Sequence, residues 1–430
     1  MKVTIIGSGS TYTPELINGF IKCKDQLPVD AFYLMDIDVK KNAIVSGLVK
    51  RMLLEAGVTA KLVITNDLDE AIEGAAYVLT QVRIGNLDAR ILDESIPLKY
   101  GLLGQETTGV GGLMKAMRTI PFIMKVCQKM KTLAPDAWLI NFTNPSGLVT
   151  EAIVNHMDVK MVGLCNGPIN MVRQIKQIVP KEVQVFDYNF VGLNHLCWIV
   201  NVYADQKDIL PKLMEGGLDI PGMSNVPQAS YSEDLLKATK GIPISYLNYY
   251  YYRDQQVEKC QKAEKSRGEI CQGIEEDLLK LYQDETLNTC PEILNQRGGS
   301  LYSEAAVSVI DAIENDLNEI HVVDTKNQGA YAFMDTDDVV EVKCRINKDG
   351  ATPIELKNFD NPYIVGLMQS VKAYEKLAAK AAIHGDYHEA LAALMVHPLI
   401  GDYHKAKQAL DEMLIANKAY LPQFFKKESI

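Results

Sequence analysis

The stretch from Lys2 to Pro14, KVTIIGSGSTYTP, constrains the fold more than any other part of the chain. The apolar residues Val3, Ile5 and Ile6 form a short strand-like run that meets a glycine-rich turn, Gly7-Ser8-Gly9-Ser10. A strand that feeds a Gly-x-Gly turn into a helix N-terminus presents backbone N–H groups to a pyrophosphate. Thr13 and Pro14 mark the helix start, one as a capping hydroxyl and the other as a residue that lacks an N–H. The next strand, Ala31 to Met35, ends in Asp36, roughly thirty residues after Gly7, where a carboxylate meets ribose hydroxyls. Tyr12 stands where a third glycine would complete the fingerprint. Gly7, Gly9, Ser10, Thr11 and Asp36 are the candidate dinucleotide contacts.

Strand and helix patterns alternate from there. Val39 to Glu55 places Ile44, Val45, Leu48, Val49, Met52 and Leu53 on one helical face. Lys61 to Thr65 reads as strand, Asp69 to Gly74 as a short helix and Tyr77 to Val82 as strand. After a polar interruption come a helix from Met114 to Leu133, a strand from Ala137 to Phe142, a helix from Leu148 to His156 and a strand from Lys160 to Leu164. The expected class is α/β, an N-terminal Rossmann-like doubly wound parallel sheet with helices on both faces.

Beyond residue 165 the character changes. Asn189 to Asn201 reads as one strand with Gly192-Leu193-Asn194-His195 inside it, and Ile244 to Tyr282 as helical and rich in tyrosine. Arg297-Gly298-Gly299 opens a helix from Leu301 to Glu314, while Glu319 to Asp324 and Val339 to Ile346 read as strands of a smaller sheet. The expected organisation is a dinucleotide-binding domain over residues 1–165 and a C-terminal α+β, mostly helical domain over 166–430. The second carries substrate, metal and oligomer contacts. No linker separates them, so they pack as one unit.

A length of 430 residues with 47% apolar content supports a core of that size. The net charge of −11 argues against nucleic acid and anionic membranes as partners. No apolar run approaches membrane-spanning length, and strand-like residues begin at Lys2, where a signal peptide would stand. Eight cysteines without a repeating spacing suit a reducing cytoplasm, as small buried hydrophobes.

Several residues can carry chemistry. The segment Gln81 to Gly112, with Arg83, Arg90, Asp93, Glu94 and GQETTGVGG, reads as a long polar loop after a sheet strand, either an active-site loop or a solvated one. Asn141 and Asn144 lie at the carboxyl end of a strand, where they meet a ligand or build an Asn-Pro turn. Cys165 and His195 suit a transition ion with open positions for substrate. With no local metal spacing between them, the first reading of the residues alone is a packed cysteine and a hydrogen-bonded histidine, and a nucleophile–base pair is the other functional reading. Tyr246 and Tyr249 to Tyr252 are core aromatics, or include a base beside a cation. Arg83, Arg90, Arg267 and Arg297 bind a phosphate or form ion pairs.

The markers GSGSTYTPEL, RIGNLDARILDESIPLKYGLLGQETTGVGG, NFTNPSG, GLCNGPIN, GLNHL, PISYLNYYYY and QRGGSLYSEAA follow one another along nearly the whole chain. Together they resemble glycoside hydrolase family 4, the NAD- and metal-dependent glycosidases, which depart from the two-carboxylate scheme of most glycosidases. The resemblance implies oxidation of the sugar at C3 by NAD⁺, removal of the C2 proton by a tyrosine, and elimination of the aglycone. Water then adds and the hydride returns, so NAD⁺ is not consumed. It implies Cys165 and His195 as ligands of a divalent ion, typically Mn²⁺. It implies Tyr246 as the base, with Tyr249 and Tyr250 as neighbouring alternatives. Arg90, with Asn86 nearby, matches a phosphate contact, Arg267 a second one, and Asn144 a substrate contact.

Asn166 follows the candidate metal cysteine at a position where members that resemble 6-phospho-α-glucosidases carry Asp. The Asn resembles the 6-phospho-β-glucosidases, and an amide donates no proton as an acid. Gly167 departs from the Val or Ala usual there. The expectation is a cytoplasmic 6-phospho-β-glucosidase of carbohydrate metabolism, a homodimer or homotetramer. Its substrates are phosphorylated disaccharides such as cellobiose 6-phosphate, or aryl β-glucosides bearing the same phosphate. The alternatives are a 6-phospho-α-glucosidase, an α-galactosidase or a glucuronidase of the same family, a 2-hydroxy-acid dehydrogenase, or a non-catalytic NAD-binding sensor.

Overall fold

Six parallel strands organise the N-terminal half: β1 (Lys2–Ile6), β2 (Ala31–Met35), β3 (Lys61–Thr65), β4 (Tyr77–Thr80), β5 (Trp138–Asn141) and β6 (Lys160–Gly163). In the computed structural model, which describes residues 1–221, 228–297 and 302–425 of the chain, they lie in the order β6-β5-β4-β1-β2-β3. Lys2 pairs with Ala31 on one side and Val3 with Tyr77 on the other. This is the doubly wound dinucleotide order, and its topological switch falls between β1 and β4. The helices α1 (Thr13–Lys22), α2 (Val39–Glu55), α3 (Leu68–Ile72), α4 (Asn86–Lys99), α5 (Gly109–Leu133), α6 (Ser146–His156) and α7 (Asn166–Ile178) connect and flank the strands.

The sequence reading is corrected in three places. The interval Gln81 to Gly112 is not one loop, because α4 occupies residues 86–99. Its buried face carries Arg90, Asp93 and Glu94 beside Leu87 and Ile96, so the apolar period that announces a helix is interrupted by charge. Those charges are paired in the interior: Arg118 of α5 grips Asp93 at 2.9 and 2.6 Å with both side chains 1% exposed.

Asn189 to Asn201 is not one strand but the hairpin β7 (Phe186–Leu193) and β8 (Leu196–Ala204), closed by Asn194 and His195 alone. His195 takes φ +64°, a left-handed conformation usual for Gly or Asn, so a histidine hid the turn. The strands β9 (Lys207–Asp208) and β12 (Ile242–Pro243) add to β8 on the edge away from β7, and β10 (Leu218–Ile220) pairs with β11 (Ala229–Tyr231).

The third correction concerns β13 (Glu319–Lys326), β14 (Val339–Asn347) and β15 (Gly350–Pro353). They form no separate sheet. They continue the main one past β6, antiparallel, with Asp324 opposite Gly163, and bring it to nine strands. Strand pairing between distant parts of a chain leaves no local trace. One apolar core therefore runs through both halves, from Val3, Ile5 and Leu79 to Trp198, Val342, Met368 and Ala378.

No helix among the described residues is long and apolar enough to cross a membrane. All eight cysteines are free, five of them buried. Gly298, Gly299 and Leu301 lie outside the described residues, and the helix after them runs from Tyr302 to Glu314.

Candidate active site

A cavity of about 610 Å³ opens at the carboxyl ends of β1 and β4, where a doubly wound sheet holds its ligand. Its far end is the glycine turn. Gly7, Gly9, Ser10 and Asp36 line it; Thr11 does not, and its buried hydroxyl has no hydrogen-bond partner among the described residues. Gly7 has φ +87°, and a Cβ there would stand 2.9 Å from the Gln81 carbonyl. A Cβ on Gly9 would stand 2.8 Å from the Asp36 carboxylate, so both positions need glycine for Gln81 and Asp36 to pack against the turn.

The turn is more tightly bound than an open anion cradle. Gly7 and Ser8 N–H both donate to the Met35 carbonyl, at 2.9 and 3.1 Å, and Gly9 N–H donates to Asp36 at 2.8 Å. Thr13 does not cap α1; its hydroxyl donates to the Ser8 carbonyl at 2.8 Å and fastens the turn to the helix. The side chains of Lys41, Glu275 and Arg297 complete this end, with Glu275 accepting from Arg297 at 3.2 Å. Its glycine cradle and Asp36 fit the ribose and phosphate part of a dinucleotide.

The middle of the cavity is strongly charged. The N-terminus of α4 faces it through Asn86 and Leu87, with Arg90 one turn further on. The buried carboxylate of Glu106 accepts from Arg83 and from Lys115 at 2.8 Å, and forms an ion pair with Arg90 at 3.0 Å. Arg90 also donates to Glu94 at 2.7 Å. Burial alone would raise the Glu106 pKa, but Arg83, Arg90 and Lys115 hold it well below the usual carboxylate range. Burial and the repulsion of Arg83 push Lys115 down to about 7 against the pull of Glu106. Three cations against two carboxylates leave this wall positive, and a helix N-terminus adds to the field.

At the near end stand Asn144, Asn166, His195 and Tyr246. The short strand β12 pairs Pro243 with Trp198, which sets the turn Ser245–Leu247 against the β7–β8 hairpin. The Tyr246 ring consequently stacks on His195, with 3.9 Å between centroids and 9° between planes. His195 Nδ1 meets the Thr107 hydroxyl at 3.1 Å. Burial and the charge of Lys115 push His195 down to about 3, so the imidazole is neutral at pH 7.

Cys165 caps α7, its sulfur accepting from Gly167 N–H at 3.3 Å. It lines a second cavity behind α7 and is not among the residues that line the first; burial, with the charge of Glu341, pushes its thiol well up. A thiol and a neutral imidazole are a sound pair of donors for a divalent ion. No group of three His, Cys, Asp or Glu able to hold a metal exists among the described residues, so open positions would fall to substrate.

Arg267 is not brought to the cavity; its guanidinium donates to the carbonyls of Gln296 at 2.6 Å and Arg297 at 3.2 Å. Lys115 and Glu106 were missed as site residues. No local pattern marks them, since each owes its place to the other and to Arg83. Of the tyrosines at 246 and 249–252, Tyr246 alone lines the cavity; the Tyr250 hydroxyl pairs with Thr108 and that of Tyr251 accepts from Trp198.

Comparison with known proteins follows this geometry. Residues 2–181 match the sequence model of the family 4 glycosyl hydrolases, and residues 190–400 that of the family 4 C-terminal domain. A Bacillus subtilis protein described as a probable 6-phospho-β-glucosidase is 43% identical, over 99% of this chain and 98% of its own. The 6-phospho-β-glucosidase of Escherichia coli is 38% identical over 99% and 97%. The solved structure of the Thermotoga maritima 6-phospho-β-glucosidase with manganese, NAD⁺ and glucose-6-phosphate superposes with a TM-score of 0.88 at 33% identity, covering 98% of this chain and 99% of that one. The chain belongs to family 4 of the glycosyl hydrolases.

Proposed function

We propose that this chain is a 6-phospho-β-glucosidase that works with NAD⁺ and a divalent ion, Mn²⁺ being the type. The observation that carries this is the continuity of one cavity. It holds the Gly7–Gly9 cradle at one end, the cationic wall of Arg83, Arg90 and Lys115 in the middle, and the stacked His195–Tyr246 pair at the other. NAD⁺ supplies the hydride acceptor for C3 and the ion a Lewis acid for the neighbouring sugar oxygens.

The protein's own groups do the rest. Asp36 meets the adenosine ribose. Asn86, at the start of α4, and Arg90 receive the 6-phosphate together with Arg83 and Lys115, through a helix N-terminus and charge-assisted hydrogen bonds. Cys165 and His195 hold the ion, Asn144 and Asn166 orient the sugar, and the Tyr246 phenolate takes the C2 proton. Asn166 has no proton to give the leaving group, so water assists departure of a β-linked aglycone.

The test is release of 4-nitrophenol from the β-glucoside 6-phosphate with NAD⁺, Mn²⁺ and a thiol reductant. Release from this compound, and not from the α-anomer or the unphosphorylated β-glucoside, with loss when either NAD⁺ or Mn²⁺ is omitted, is expected. Activity confined to the α-anomer would overturn the Asn166 argument. NADH accumulating in proportion to turnover would replace the glycosidase by a dehydrogenase.

His195→Asn tests the ligand assignment separately. Asn tolerates the left-handed turn, so the hairpin is kept, while loss of the buried stack on Tyr246 lowers the melting temperature; NAD⁺ affinity is the control for the fold. Cobalt affinity should fall by more than the ~10–100-fold that losing an outer partner costs; wild-type affinity would remove His195 from the metal site.

The same reading places the cofactor functions in residues 1–165 and the substrate, metal and oligomer contacts in 166–430. A homodimer or homotetramer is part of it, checked by sedimentation of the whole chain. So is a cytoplasmic location, supported by eight free cysteines.

A further inference from the structure

Two threonines follow Glu106 in the segment between α4 and α5, and each hydroxyl meets a buried histidine. Thr107 Oγ1 lies 3.1 Å from His195 Nδ1, and Thr108 Oγ1 lies 3.1 Å from His397 Nε2. Threonines suit turns and helix starts, which alone would explain both. The directions of their hydrogen bonds give Thr107 further work. Oε1 of Gln105 receives the backbone N–H groups of Thr107 and, at 3.1 Å, of Thr108. Only the oxygen of an amide accepts, so these two donors fix which end of the Gln105 side chain faces the segment.

Thr107 Oγ1 stands 2.8 Å from the same Gln105 oxygen. A carbonyl oxygen carries no proton, so the proton between the two comes from the hydroxyl. A hydroxyl has one proton, and toward His195 it therefore accepts. Nδ1 of His195 donates, and in the neutral ring the lone pair is on Nε2. His195 lines the cavity, where that lone pair can meet an ion. Thr107 is also firmly held. A Cβ on Gly112 would stand 2.7 Å from its carbonyl carbon, so its backbone lies against the first turn of α5. Next to it, Thr108 is tied to the C-terminal half. His397 Nδ1 accepts from the Leu399 N–H at 3.2 Å, so Nε2 donates to Thr108, whose oxygen also meets the Tyr250 hydroxyl at 3.1 Å.

We infer that Thr107 is a positioning residue for His195: its hydroxyl, with the proton committed to Gln105, accepts from Nδ1 and keeps the Nε2 lone pair for the divalent ion. This rests on His195 being a ligand of that ion. The outer partners of metal-binding histidines fix tautomer and ring direction in this way.

The first measurement is the tautomer of His195 in the full chain with NAD⁺, before metal is added. It is read from the ring ¹⁵N shifts of histidine-labelled protein. Seven histidines contribute, and the signal lost in His195→Asn assigns the one that matters. The Nδ1–H tautomer is expected. Thr107→Val keeps the branched side chain and leaves Gln105 its two backbone donors, but it removes the acceptor for Nδ1. The ring should then move toward the Nε2–H tautomer, and Co²⁺ should bind about 10–100-fold more weakly. Thr107→Ser returns the hydroxyl and should restore both. NAD⁺ affinity and the melting curve control for the fold. A threonine that merely shaped the segment would lower the melting temperature of Thr107→Val without moving the tautomer. An Nε2–H tautomer in the wild type overturns the role of Thr107 even where the valine variant folds poorly. So does a Thr107→Val chain that keeps the wild-type tautomer or cobalt affinity, or a Thr107→Ser chain that behaves like the valine one. Cobalt affinity that His195→Asn leaves unchanged overturns the ligand assignment and this role with it.

Discussion

Tyr246→Phe should lower turnover of the phosphorylated β-glucoside by about 10²–10⁴-fold, the range for loss of a general base. NAD⁺ and metal binding should survive. The substitution removes one oxygen and keeps the ring, which is 4% exposed and stacked on His195 at 3.9 Å. Packing around the imidazole is therefore preserved, and the change reports on proton transfer. The decisive measurement is exchange of the C2 hydrogen with solvent deuterium. Slow exchange with near-normal KM is expected, because an interaction made only in the transition state affects kcat rather than binding. Exchange at the wild-type rate would remove Tyr246 as base. Its neighbours are poor substitutes: Tyr250 is bound to Thr108, and burial pushes the phenols of both Tyr249 and Tyr250 up.

Much of this was legible in the chain because a parallel sheet buried on both faces writes itself as short apolar runs at regular intervals. The strands Ala31–Met35 and Lys61–Thr65 and the helix Val39–Glu55 were read with their observed bounds. What escaped was everything decided by distant partners. The helix α4 buries Arg90, Asp93 and Glu94, whose charges make sense only against Glu106 and Arg118. The residues Val339 to Asn347 look like any strand, and their place beside β13 on the β6 edge depends on the pairing of Asp324 with Gly163, 161 residues earlier. In the site, Cys165, His195 and Tyr246 were visible as chemically apt residues. Lys115 and Glu106 were not, since a lysine pushed down to about 7 and a carboxylate held low owe those properties to one another and to Arg83.

That mutual dependence sets the second large effect, Glu106→Gln. The carboxylate is 6% exposed and pairs with Arg83, Arg90 and Lys115. Its removal leaves buried cations without their partner, which costs about 3–5 kcal/mol where nothing relieves it. Relief is at hand on one of the three. Glu106 is what holds the proton on Lys115, so in the variant Lys115 falls below its value of about 7 and is neutral at pH 7. The melting temperature should drop sharply at pH 7, less so above it. The acid side should flatten. A carboxyl held below its model value of 4.5 lends stability above that value and loses it as pH falls through the lower folded value; the amide has none to lose. Function follows the same charges. The variant loses a full anion and, at pH 7, only about half a cation, because Lys115 at about 7 is half protonated in the wild type; inorganic phosphate should therefore bind the variant more tightly than the wild type. Equal phosphate affinity, with a melting curve like that of the wild type, would mean that the three cations do not depend on Glu106.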